Sequence, residues 1–125
     1  MSEVKDKINE INIENQIWLI YIIIIFASWY SNSLEKKYFL TNDNNYKEQY
    51  RQVLTKTFFI LTIVYLYFLK SSIDGINNLK TTDSQKKKYL TKLSVLASFL
   101  IVISGILFLY IAYLDQDIDV EIAFN

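Results

Sequence analysis

An all-α membrane protein, with three long transmembrane helices joined by short turns and extending beyond the bilayer, is the architecture these 125 residues predict. Three observations carry that expectation. Residues 93–114 form 22 consecutive positions without a charge. Rising about 1.5 Å per residue, a helix of that length covers about 33 Å, enough for the roughly 30 Å hydrocarbon core of a bilayer. Two further apolar runs precede it, at 15–34 and 53–69. Finally, the charges fall outside these blocks instead of recurring at helical period, as they would on the wet face of a soluble bundle helix. The 52% apolar content alone would not separate the two classes, so segregation decides.

The first helix is expected over about 3–39. Val4, Ile8, Ile11 and Trp18 are spaced by four, three and seven, which places them on one helical stripe, while Asp6, Lys7, Glu10 and Glu14 lie largely off it. Trp18 and Tyr21 stand near one end of its apolar run, Trp29 and Tyr30 near the other, where aromatic rings favour the membrane–water interface. A cleaved signal peptide is a poor fit to this segment. Its first 16 residues carry four acids against two lysines, and a signal peptide begins with a basic stretch.

Residues 41–45 (TNDNN) predict a turn, and Asn45 with Glu48 has capping-box spacing for a second helix over about 46–78. That helix starts amphipathic, with Tyr46, Tyr50, Val53, Leu54 and Thr57 on one face, and becomes apolar on all sides at Phe58. Only 13 residues lie between Lys56 and Lys70, about 20 Å of helix. A run so short spans only if the flanking lysines extend their stems toward the headgroups. The expectation is that it spans.

Gly75, Asn77, Asn78, Thr81 and Thr82 mark the next break, with Thr82 and Gln85 in capping-box spacing for a third helix over about 83–114. Lys86, Lys87, Lys88 and Lys92 crowd its first turns. Tyr89 lies near one membrane interface, Tyr110 and Tyr113 near the other; Tyr89 to Tyr110 is about 31 Å of helix. Ser94, Ser98, Gly105 and Ala112 follow spacings of four, seven and seven, forming a seam of small residues that lets another helix approach closely. Ala27 and Ser31 on the first helix, and Thr55 and Thr62 on the second, are candidate facing positions.

Three spans put the termini on opposite sides. The N-terminal segment and the second connection hold eight Lys/Arg (two and six); the first connection and the tail hold five (five and none). The positive-inside rule then places the N-terminus in the cytoplasm and the C-terminus outside a cell membrane. Thirteen basic residues balance thirteen acidic ones, so no net field draws in nucleic acid. The lack of Cys and His excludes disulfides, thiol chemistry and the common zinc sites. Abundant Ile, Asn, Lys and Tyr with no Pro is the composition of an AT-rich, bacterial-type genome.

No buried Asp, Glu, His or Arg interrupts the apolar runs, which argues against proton relays, intramembrane hydrolysis and ion-coupled transport. The acidic tail, 115–125, alternates Asp115, Asp117, Asp119 and Glu121 like half of a Ca²⁺ loop, yet lacks the turn glycine and distal glutamate of an EF-hand. It reads as a solvated tail. Its alternation of Ile118, Val120 and Ile122 would also suit a strand added to a partner's sheet edge. No cofactor or metal is expected. The function expected is a non-catalytic, multi-pass accessory, scaffold or immunity-type component. It would act through helix–helix contacts, as a homo-oligomer or with a larger membrane partner. The alternative is a pore-forming oligomer, holin-like or a small channel.

Overall fold

A computed structural model describes residues 2–120 and contains three helices: α1 (Ser2–Thr41), α2 (Asn44–Asn77) and α3 (Gln85–Leu114). There is no strand among the described residues. At 40, 34 and 30 residues the helices run about 60, 51 and 45 Å, so each exceeds the bilayer core. All three are long and apolar enough to cross a membrane. Without proline, nothing interrupts their backbone ladders. Several hydroxyls within them turn back onto their own helices: Ser31 Oγ donates to Ser28 O at 2.8 Å and Thr62 Oγ1 to Phe58 O at 2.7 Å.

The ends of the helices differ from the expected caps. Asn42 adopts a left-handed backbone (φ 56°), a conformation Asn tolerates, and its N–H donates to Tyr38 O at 2.7 Å to close α1. The reversal leaves Asp43, not Asn45, in the capping position of α2: Asp43 Oδ1 accepts from Asn45 N at 2.9 Å. Glu48 therefore does not reach back to the cap and instead pairs with Arg51 Nη1 at 3.3 Å.

Gly75 does not stop α2, which continues to Asn77. In the following connection Lys80 N donates to Asp83 Oδ2 at 2.8 Å, and this small turn delays the start of α3 by two residues. Ser84, not Thr82, is the cap, its Oγ accepting from Lys87 N at 3.1 Å. At the far end Asp115 closes α3, donating its N–H to Ile111 O at 2.9 Å.

The described residues divide into two compact units, 2–53 and 54–120. In the first, α1 meets the opening turns of α2 through two reciprocal cation–π pairs: Lys37 Nζ lies 5.6 Å from the Tyr46 ring centroid and Lys47 Nζ 5.6 Å from that of Tyr38. Pairs of this kind contribute about 0.5–1 kcal/mol each at exposed sites, so the two together fix how the turn is folded more than how stable it is. Ile17, Ser31, Leu34 and Tyr50 are the buried residues of this unit.

In the second unit α2 and α3 run antiparallel. Gly75 faces Thr91, Ser72 faces Ser94 and Ser98, Tyr65 and Thr62 face Gly105, and Phe58 stacks on Phe108 with ring centroids 5.5 Å apart. Among the more covered positions of α3, Thr91, Val95, Ser98, Val102, Gly105, Leu109 and Ala112 follow alternating spacings of four and three, with Lys88, Phe108 and Ile111 covered beside that line. That rhythm averages 3.5 residues, the signature of left-handed, coiled-coil-like packing.

Candidate functional site

The α2–α3 seam is where the sequence's small residues are brought together. Gly105 is buried, and a Cβ placed on it would lie 3.0 Å from Tyr65 Cδ2 and 3.3 Å from Thr62 Oγ1. The helices thus approach because this position has no side chain, and the Tyr65 ring occupies the space left. Ala112 is buried seven residues further on. At the other end, the Ser72 and Ser98 hydroxyls share a hydrogen bond at 2.9 Å, and Ser94 Oγ lies 3.4 Å from Ser72 Oγ. Both bonds cross between helices, where lipid offers a hydroxyl no alternative partner.

Of the facing positions read from the sequence, Thr62 stands opposite Gly105. Ser31 is buried on α1 in the other unit, and Thr55 is half-buried on α2. Tyr65 and Ser72 escaped sequence reading although both face α3. Phe58, Tyr65 and Ser72 recur every seven residues, the same rhythm as Ser98, Gly105 and Ala112, and that shared period was the available signal.

The antiparallel register also changes how the short second run is measured. Lys70 falls between Ser72, which is level with Ser98, and Tyr65, which is level with Gly105. It therefore sits roughly 12 Å further along the α3 axis than Lys92. Lys70 is exposed, so in a bilayer its ammonium would have a route to the headgroups along the outside of the helix pair. On this register α2 lies beside α3 from Phe58 to Gly75, well beyond the 13 charge-free residues.

Trp18, Trp29, Tyr30, Tyr89, Tyr110 and Tyr113 are all exposed on the helix surfaces, Trp29 the most at 70%. Trp18 makes an edge-on contact with Tyr21, centroids 5.5 Å apart. An interfacial belt would need outward-facing rings of this kind near the ends of apolar runs. The connection before α3 is charged and wet. The hydrogen bond from Lys80 N–H, aided by Lys87, whose Nζ lies 3.2 Å from Oδ1, holds the Asp83 carboxyl below its ordinary range against a smaller desolvation effect.

The beginning of the tail is a turn. Asp115 Oδ1 accepts from Asp119 N at 3.0 Å and Oδ2 from Val120 N at 2.8 Å, while Ile118 takes a left-handed backbone (φ 58°). That geometry replaces the extended alternation expected from Ile118 and Val120; Glu121 and Ile122 lie outside the described residues. Comparisons with protein-family models, curated proteins and solved structures return no match.

Proposed function

We propose that this protein is a small multi-pass integral membrane component without catalytic chemistry. It acts as an accessory, scaffold or immunity-type subunit through helix–helix contacts and associates with itself. The observation that carries the reading is the division of labour on α3. One face, with Ser98, Gly105 and Ala112, is used in packing, and the rest presents exposed Leu, Ile, Phe and Tyr to its surroundings. A bilayer is the solvent that accepts such a surface. The N-terminus lies in the cytoplasm and the C-terminus outside, following the eight-to-five distribution of Lys and Arg.

A pore is the competing reading, and the hydroxyls of α2 and α3 are what would favour it. Ser72, Ser94 and Ser98 bond to one another across the helix pair, which suits a packing role better than a water-lined path. Reconstitution of the full chain in nanodiscs and vesicles, with mass measurement and an ion-flux assay, tests the proposal. A discrete, flux-silent oligomer is expected; protein-dependent ion leakage would replace the scaffold with the pore.

A further inference from the structure

Val4, Ile8 and Ile11 are 61, 52 and 45% exposed, on a stretch of α1 that also carries Glu3, Lys5, Asp6, Lys7, Glu10 and Glu14. Six charges in twelve residues keep this stretch out of the hydrocarbon. Its apolar stripe therefore faces water or another protein. The stripe cannot lie flat on the membrane either, because α1 is one uninterrupted helix from Ser2 through the apolar run to Thr41.

The spacing indicates what covers it. Val4, Ile8, Ile11 and Asn15 alternate by four and three, and the same rhythm enters the apolar run at Trp18 and Ile22, all of them exposed. Apolar residues every 3.5 positions form the seam of a helix pair, and a single Asn at a core position of that seam fixes register by meeting its own counterpart. Asn15 occupies such a position. Glu3, Asp6 and Glu10 fall away from the seam, on its outer side. Pairing in parallel sets Lys7 opposite Asn12 and Glu14 opposite Leu19, so no like charges meet across it. Copies inserted in one membrane with one orientation have parallel first helices by necessity. The six seam residues expose on the order of 600 Å² per chain, so their complete coverage by a second copy would bury about 1,200 Å² in total, the lower end of a specific interface.

We infer that two copies of this chain pair through α1, in parallel and in register, with Val4, Ile8 and Ile11 packed across the seam and the two Asn15 side chains facing each other. The inference rests on the self-association proposed above and names the surface that performs it. It leaves the Ser98–Gly105 seam to packing within the chain.

Because the protein has no cysteine, single substitutions report this directly. Ile8→Cys and Ile11→Cys on the seam, and Asp6→Cys and Glu10→Cys off it, are introduced into the full chain in nanodiscs, oxidised, and run without reductant. Helix content is measured for each to show that it folds. The pairing predicts covalent dimers at 8 and 11, several-fold more than at 6 and 10. Equal yields at all four positions, or an oligomer that crosslinks only off the seam, overturn the α1 surface while leaving self-association standing. A monomeric mass with no crosslink at any position overturns both.

Discussion

Asp83 shows how a single side chain organises the entry to α3. Its two oxygens take the Lys80 N–H and the Lys87 ammonium, while the neighbouring Ser84 caps the helix. Since its carboxyl titrates below its unfolded value, its contribution to holding the turn is present in full above about pH 3.9 and is lost as the pH falls through the lower, folded value. Amide exchange at Lys80 should therefore be slowed at neutral pH and lose that protection in acid, and Asp83→Asn should remove the pH dependence. The same residue shows why the caps were misplaced by two positions in sequence reading. Thr82, Asp83 and Ser84 are all acceptable caps in isolation, and only the 2.8 Å bond from Lys80 assigns Asp83 to the turn and leaves Ser84 for the helix. At the first turn, likewise, the left-handed Asn42 selects Asp43 over Asn45.

At the scale of elements, the α2–α3 pair depends on one position without a side chain and one hydroxyl cluster. Gly105→Leu must displace the Tyr65 ring and should part the helices, costing about 1–3 kcal/mol or more. Gly105→Ala meets the same ring only at the edge of tolerance and gains helix propensity of about 0.5–1 kcal/mol, so its effect should be small. Ser72→Ala removes both interhelical hydroxyl bonds and should cost about 0.6–1.7 kcal/mol, the range for such bonds in membranes. Unfolding of the three variants in a mild-to-denaturing detergent series ranks these effects. The line of small residues on α3 was legible as a pattern, because residues at spacings of four and seven stand out in an apolar helix. Its counterpart was not, because Tyr65 is a large residue that fills the gap a glycine leaves, and no rule about small residues selects it.

For the whole molecule, three long helices were legible from segregated charge alone, since the apolar runs are separated by turn-forming Asn, Asp and Thr. What sequence reading could not supply is the register between α2 and α3. Thirteen charge-free residues measure the distance between two lysines and not the thickness of the structure they belong to. Beside α3, the helix around Lys70 continues through Ser72 to Gly75, and hydroxyl bonds inside the pair satisfy what lipid would not. The function was less legible than the fold, because the proposed role through packing surfaces would use the same residue types as mere residence in lipid.

The proposed three-span topology depends on α2 crossing the membrane. Single cysteines at Asn42, in the turn between α1 and α2, and at Thr82, in the connection before α3, are labelled with a membrane-impermeant maleimide in sealed, oriented vesicles. If α2 crosses, the two positions react from opposite sides, Thr82 from the cytoplasmic face and Asn42 from the outer one. Labelling of both from the same side would contradict it and make α2 re-entrant.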